Sequence, residues 1–273
     1  MKVGIIGLGY VGLPLAVAFG EAGHDVVGVD TDARVVERLA AGRSQVEDVP
    51  SERLAALAPR LTATTDHSAL ADCDAVLICV PTPLANQREP DLSYIADAGR
   101  SLAGVLREGQ LVVLESTTYP GTTRERLLPI LEESGLAAGR DFHLAFSPER
   151  IDPGRADHTL RTTPKVVGGI TEAGRDHAVE LYGEICDQVI AVSTPEAAEM
   201  SKLISYHDPH VAEVAELDLA SVPLDEALGR RDVACVVTAH AEIDYQRVVA
   251  EAPLVVDFRG VTRGITAENL IRL

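Results

Sequence analysis

An α/β fold built on a doubly wound parallel sheet is what this sequence predicts, and three observations predict it. Short β-branched runs alternate with helical stretches over residues 1–192. Several of those runs, such as Ala75-Val76-Leu77-Ile78, are apolar throughout, the pattern of strands covered on both faces. The first run opens into a glycine-rich turn, Gly7-Leu8-Gly9-Tyr10-Val11-Gly12, and then into a helix. Strand–helix alternation of this kind gives parallel strands with helices on either side.

In chain order the strands are expected at Val3–Ile6, Asp25–Val29, Arg60–Thr64, Ala75–Val80, Gln110–Glu115, His143–Phe146, Lys165–Val167 and Gln188–Val192. Helices are expected at Leu13–Ala22, Ala33–Ala40, Ser68–Asp72, Leu92–Leu106, Thr122–Ser134 and Glu172–Ile185. Pro81–Pro90 reads as a loop. A further helix starts near Pro195, with Ser193 and Glu196 at capping-box spacing. Beyond it, strands are expected at Ile204–His207, Asp232–Thr238 and Leu254–Asp257, and helices at Leu224–Leu228 and Tyr245–Ala250.

Composition narrows the function. Apolar residues make up 46%, an ordinary globular share, and no apolar run approaches the ~20 residues of a membrane span. The chain goes straight into a strand without a leader pattern, so a cytoplasmic location is expected. With 24 Lys and Arg against 42 Asp and Glu, the net charge of -18 argues against a nucleic-acid partner. Cys73, Cys79, Cys186 and Cys235 fall in no zinc or disulfide pattern and are expected as buried free thiols. His158 and His177 have no partner at metal spacing and are taken as surface residues; no metal site is expected.

The glycine-rich turn carries chemistry. Gly7 permits a tight turn, Gly9 lets backbone approach a pyrophosphate, and Gly12 lets the first helix pack on the sheet. The helix N-terminus offers N–H groups to phosphate. Asp30 ends the second strand at the ~20-residue distance expected of a ribose-binding acid, which favours NAD over NADP. Arg34, close by, is a residue type that accepts a 2′-phosphate and tempers that preference. Ligands of open α/β sheets sit at the carboxyl ends of strands. Val80-Pro81-Thr82-Pro83 and Glu115-Ser116-Thr117-Thr118 stand at two such ends, with ligand binding and plain turn capping equally open for Ser116 and Thr117. Thr122 and Thr123 read as helix caps. Glu149 and Arg150, in a Pro/Gly-rich loop after a strand, offer a base and an anion holder, or a solvated ion pair. His240 and Asp244 read as the capping region of a helix rather than a catalytic pair. Lysine occurs only at Lys2, Lys165 and Lys202.

These motifs, in this order, resemble the UDP-glucose/GDP-mannose dehydrogenase family: Gly-Leu-Gly-Tyr-Val-Gly-Leu-Pro at 7–14, Val-Pro-Thr-Pro-Leu at 80–84, Glu-Ser-Thr-Thr-Tyr-Pro-Gly-Thr-Thr at 115–123, Ser-Pro-Glu-Arg-Ile-Asp-Pro-Gly at 147–154, Lys-Val-Val-Gly-Gly at 165–169 and Ala-Glu-Met-Ser-Lys-Leu at 198–203. The Ser-Pro-Glu-Arg form is most similar to the UDP-N-acetylglucosamine and UDP-N-acetylmannosamine 6-dehydrogenases. Ser-Tyr-His-Asp-Pro at 205–209, Val-Thr-Ala-His at 237–240 and Val-Val-Asp-Phe-Arg at 255–259 resemble the family's C-terminal UDP-binding domain. The resemblance implies a Rossmann-like sheet plus a second α/β domain. It implies oxidation of the C6 hydroxyl of a UDP-sugar to a carboxylate for polysaccharide precursors, with two NAD reduced. A cysteine thiolate adds to the intermediate aldehyde, and the resulting thioester is hydrolysed. Carried over by motif, Thr117, Glu149 and Lys202 would be catalytic, positioning water, acting as base and stabilising an oxyanion. Gly7, Gly9, Tyr10, Val11, Gly12, Asp30, Arg34, Thr82, Ser116, Thr117 and Glu149 would contact NAD. Glu149, Arg150 and Lys202 would contact substrate.

The family pattern breaks after Lys202. Where the family places an asparagine the chain has Tyr206, and no Gly-Gly-His-Cys-like segment occurs anywhere. The helical pattern ending at Leu203 runs into a strand-like Ile204-Ser205-Tyr206-His207 with no stop signal, although such connections take ~2–6 residues. A deletion seam is therefore expected near Leu203–Ser205. The domains are read as an NAD-binding domain at 1–192, a remnant of the central helix at 193–204 and a truncated UDP-binding-like domain at 205–273. The enzyme is expected to be impaired by loss of the cysteine segment. A homodimer is implied by the family and left open because its central helix is absent. Two other functions stay open: an NAD-binding module without turnover, and a Lys-dependent 3-hydroxy acid dehydrogenase.

Overall fold

The computed structural model describes residues 1–83, 90–148, 160–201, 205–214, 219–228 and 233–272. The chain divides into two compact units, Met1–Leu203 and Ile204–Leu273. The first contains an eight-stranded sheet of order β3-β2-β1-β4-β5-β6-β7-β8. Its strands are β1 (Lys2–Ile6), β2 (Asp25–Val29), β3 (Leu61–Thr64), β4 (Ala75–Ile78), β5 (Leu111–Leu114), β6 (His143–Phe146), β7 (Lys165–Gly169) and β8 (Val189–Val192).

Pleating explains the two cores. Val3, Ile5, Leu77, Val113 and Ala145 point to one face, packed on Leu13, Ala16 and Phe19 of α1 (Gly12–Glu21) and on Ala178 and Tyr182. Ile6, Val76, Ile78, Val112, Leu114 and Phe146 point to the other, against Ile95 and Leu102 of α4 (Ser93–Ala103), Leu127 and Leu131. Between β2 and β3 lie α2 (Ala33–Ala40) and a short α3 (Ser51–Ala56) that the apolar pattern did not single out. The sheet departs from the all-parallel expectation in one place: β7 runs antiparallel to β6. The crossover from β7 through α6 (Glu172–Gly183) to β8 is again parallel.

Local geometry corrects several further expectations. Residues 67–70 form a single 3₁₀ turn capped by Asp66, whose carboxylate accepts from Ser68 N. The helix expected from Thr122 begins as a π-helical turn, Thr122–Leu127, and continues as α5 (Leu128–Glu132). Gly121 precedes it in the left-handed region at φ +96. Neither threonine acts as the cap. Thr122 Oγ1 donates to Tyr119 O at 2.7 Å, and Thr123 Oγ1 donates to Glu199 Oε1 at 2.7 Å. In α7 (Pro195–Ser201) the capping oxygen is Thr194 Oγ1, accepting from Ala197 N at 3.2 Å, rather than Ser193.

The Ile204–Leu273 unit holds an antiparallel pair, β9 (Glu213–Val214) and β10 (Leu219–Ala220), and a parallel three-stranded sheet of β11 (Ala234–Val236), β12 (Val255–Asp257) and β13 (Leu270–Arg272). Of the strand expected at 204–207, Tyr206 makes a single bridge to Ser221, and Ile204 lies outside the described residues. Helices α8 (Leu224–Leu228) and α9 (Tyr245–Glu251) pack Leu228, Val248 and Val249 on Val236 and Val255. Asp244 caps α9, accepting from Gln246 N and Arg247 N.

The thiols divide unevenly. Cys73, Cys79 and Cys186 are buried, and burial pushes the Cys73 thiol up to about 11. Cys235 is exposed, which corrects the expectation for it: β11 turns Val236 into the core and Val233, Cys235 and Val237 outward. A maleimide probe on native protein should label one thiol, at Cys235, and all four after denaturation. Mass spectrometry of the labelled chain reads this, and native labelling at Cys79 or Cys186 would contradict the packing.

Candidate functional site

The carboxyl ends of β1, β2, β4, β5 and β6 gather at one edge of the sheet, where β1 lies between β2 and β4 and the strand order reverses. Gly7 turns the chain there at φ +92. A Cβ on Gly12 would lie 1.8 Å from Gly7 O, so only glycine lets α1 start against the turn. A Cβ on Gly9 would meet nothing within 4 Å. The backbone at Gly9 therefore faces open space, as a pyrophosphate approach requires. Val11 and exposed Tyr10 lead into α1, whose N-terminus no side chain caps. Its first N–H groups point to the same edge.

Asp30 is half-buried at the end of β2. Its Oδ2 accepts from Leu8 N at 2.9 Å and its Oδ1 from Asp32 N at 2.9 Å. The acid thus braces the glycine turn while each oxygen keeps a lone pair for a ribose hydroxyl. Arg34 is exposed and forked onto Asp32, with Nε to Oδ1 at 2.9 Å and an Nη to Oδ2 at 2.7 Å. That fork holds the Asp32 carboxyl below its usual range and occupies the guanidinium that a 2′-phosphate would need. The residues present fit NAD.

The β4 and β5 ends are tied to each other. Ser116 Oγ donates to Val80 O at 2.7 Å, and Thr82 Oγ1 donates to Thr117 O at 2.7 Å. Both hydroxyls thereby set the loop spacing, which leaves the Thr117 side chain exposed at the sheet edge. Buried Thr118 Oγ1 and Ser147 Oγ, at the ends of β5 and β6, have no protein partner among the described residues. Neither hydroxyl stands out in the sequence as a site group, although Ser147 opens the Ser-Pro-Glu-Arg motif. Tyr119, from the same loop, lines a cavity of 810 Å³ with Pro90, Ser93 and Arg126. Glu149, Arg150 and Lys202 lie outside the described residues.

Beneath this edge is a charged group that composition only hinted at. Lys165 Nζ pairs with Glu115 Oε1, and Tyr182 OH donates to Glu115 Oε2. The Lys165 and Glu115 side chains are 3% and 0% exposed. Glu115 immediately precedes Ser116 and Thr117, so the pair anchors the loop from below. A second buried carboxylate, Glu199 of α7, accepts from Gly121 N, Thr123 N and Thr123 Oγ1 at 2.5, 2.8 and 2.7 Å. Burial raises its pKa against those donors.

Residues 1–186 match the NAD binding domain of the UDP-glucose/GDP-mannose dehydrogenase family. The chain belongs to that family. It is 38% identical over 225 residues to the UDP-N-acetyl-D-glucosamine 6-dehydrogenase of Salmonella typhi, covering 80% of this chain and 52% of that one. It is 36% identical over 225 residues to the UDP-N-acetyl-D-mannosamine dehydrogenase of Pyrococcus horikoshii, covering 80% and 53%. Among solved structures, the UDP-D-ManNAc dehydrogenase of Pyrococcus horikoshii superposes with a TM-score of 0.70 at 36% identity, over 74% of this chain and 49% of that chain. The chain spans about half the length of the curated relatives it matches. Among the described residues, no helix is long and apolar enough to cross a membrane.

Proposed function

We propose that this chain holds NAD as a nucleotide-sugar 6-dehydrogenase does, with a UDP-N-acetylhexosamine as the sugar, but does not carry the oxidation through to the carboxylate. NAD bound at Gly7–Gly12 and Asp30 would supply a hydride acceptor. The protein's part would be to hold the pyrophosphate on the α1 N-terminus, to bind the ribose through Asp30, and, by motif, to position water and substrate through Thr117. Glu149, Arg150 and Lys202 are assigned by motif to base, substrate and oxyanion roles. Residues 193–204 are assigned as a remnant of the family's central helix, and 205–273 as a shortened UDP-binding-like domain.

The observation that carries the impaired reading is the placement of the thiols. Cys79 and Cys186 pack in one face of the sheet core and Cys73 in the other, while Cys235 lies on β11 within an apolar run and not in a glycine-rich loop. None of the first three can reach an aldehyde without leaving the core, and the sequence has no glycine-rich cysteine loop. The covalent step that allows a second hydride transfer thus finds no cysteine in the setting the family uses for it.

The test pairs binding with turnover. Calorimetric titration should show NAD binding, and Asp30→Ala should weaken it at least about tenfold, since bonds to a charged acceptor contribute about 1.5–3 kcal/mol each. With UDP-N-acetylglucosamine or UDP-N-acetylmannosamine added, nicotinamide absorbance should show no sustained NADH. Two NADH per sugar would overturn the impaired reading; no NAD binding would overturn the cofactor assignment.

A further inference from the structure

In the Ile204–Leu273 unit, two segments distant in sequence bring metal-binding side chains together. His210, His240 and Glu242 each offer a ligand atom, and these atoms all lie within 4.8 Å of one another. The His210 and His240 rings are 5.1 Å apart between centroids, and His210 Nε2 is 3.6 Å from Glu242 Oε1.

The surroundings hold this arrangement in place. His240 Nε2 contacts Asp208 Oδ2 at 2.8 Å, and its backbone N–H donates to Tyr245 OH at 2.8 Å. Asp208 Oδ1 accepts from His210 N at 2.8 Å and Val211 N at 3.0 Å. Ser221 Oγ bonds both Asp208 N and Asp208 O, at 3.0 Å each. One carboxylate therefore shapes the turn that carries His210 and orients the ring of His240. Metal-binding histidines are generally held in this way, through the nitrogen that does not face the metal.

We propose that His210, His240 and Glu242 bind one divalent cation of the zinc class, with Asp208 as the positioning carboxylate for His240. Two imidazoles and one carboxylate form a borderline donor set, which suits zinc or cobalt. Magnesium and calcium need mostly oxygen. Tetrahedral zinc at about 2.0–2.2 Å from its ligands places them about 3.4 Å apart. The side chains of His210 and Glu242 are 60% and 58% exposed, so they can close the remaining distance by rotation, whereas His240 and Asp208 are 13% and 15% exposed and fixed. Water fills the fourth position. The protein's net charge of -18 raises the local concentration of cations.

The consequence is structural. The cation ties the turn at 208–210 to the segment that leads into α9. The small core of this unit gains a staple, since metal binding that requires the folded arrangement stabilises it. This inference does not depend on NAD binding or on any turnover.

The test uses the full chain, stripped with EDTA and titrated with zinc chloride alone in competition with a chromophoric chelator. One equivalent should bind, and cobalt chloride should give the visible absorption of a tetrahedral site. His210→Ala and Glu242→Gln should each weaken zinc at least tenfold, and Asp208→Asn about 10–100-fold. The changes at exposed His210 and Glu242 should leave the far-ultraviolet circular dichroism unchanged. His177→Ala should change nothing, because His177 lies in the other unit, where its ring meets that of His143 edge-on, with centroids 4.2 Å apart. Zinc affinity unchanged in His210→Ala and Glu242→Gln overturns the proposal, as does its loss in His177→Ala or the failure of the wild-type chain to bind one equivalent.

Discussion

Lys165→Met should destabilise the Met1–Leu203 unit by about 3–5 kcal/mol, the usual consequence of leaving a buried partner charge uncompensated. Lys165 and Glu115 are both essentially sealed from water, and Tyr182 OH supplies Glu115 with a neutral donor that cannot replace the cation. For a unit of this size, that loss corresponds to a fall of roughly 10 °C in the unfolding midpoint. The pair itself need not stabilise the fold. Its Coulombic attraction is offset by the desolvation of two ions, and apolar replacements of similar volume are often neutral. Glu115→Leu and Tyr182→Phe added to Lys165→Met should therefore recover most of the stability. They should not recover NAD binding fully, because Glu115 sets the position of Ser116 and Thr117. Urea unfolding followed by circular dichroism, in a cycle of single and combined variants, measures the first effect, and NAD titration measures the second. A single variant within 1 kcal/mol of wild type, or a combined variant no better than the single, would show that the pair is not buried as described.

This pair also shows where sequence reading ends. The strands of the eight-stranded sheet were legible, the central ones as apolar runs that fit a pleat covered on both faces, and the glycine turn because its spacing has a steric cause; β9, β10 and β13 were not, being only two or three residues long. Asp30 was legible through its distance from that turn. That it also braces Leu8 N was not, because the contact depends on how β1 and β2 align. Lys165-Val-Val-Gly-Gly reads the same in either direction of pairing, so the reversal of β7 left no local trace. Glu199 and Thr123 are both polar residues in helical stretches, and nothing short of the packing of α7 against residues 121–123 reveals their bond. Cys235 lies in an apolar run like that of Cys79, but the sheet of β11–β13 leaves Cys235 on an exposed face, and the periodicity of four residues cannot tell one case from the other. The cluster of His210, His240 and Glu242 is invisible too, because His210 comes from a segment distant in sequence from the one that carries His240 and Glu242.

Gly12→Ala and Gly9→Ala should separate the two uses of the glycine turn. A methyl group on Gly12 would be driven into Gly7 O at 1.8 Å and would crowd Ile5 at 3.0 Å. Both neighbours belong to β1 or its turn, so neither can yield without moving α1 off the sheet. The expected loss is about 3 kcal/mol, at the high end for an overpacked core. NAD affinity should fall at least about 100-fold, because moving the helix start removes two or more N–H bonds to a charged phosphate at about 1.5–3 kcal/mol each. A methyl group on Gly9 meets no protein atom within 4 Å, so Gly9→Ala should unfold at the wild-type urea concentration. It should still bind NAD more weakly, since the methyl group occupies the space through which the pyrophosphate approaches. Stability from urea unfolding and affinity from calorimetry therefore respond together in one variant and apart in the other. A Gly9→Ala protein that binds NAD as wild type does would place the pyrophosphate elsewhere. A Gly12→Ala protein of unchanged stability would mean that α1 can shift along the sheet without cost, contrary to its packing of Leu13, Ala16 and Phe19 in the core.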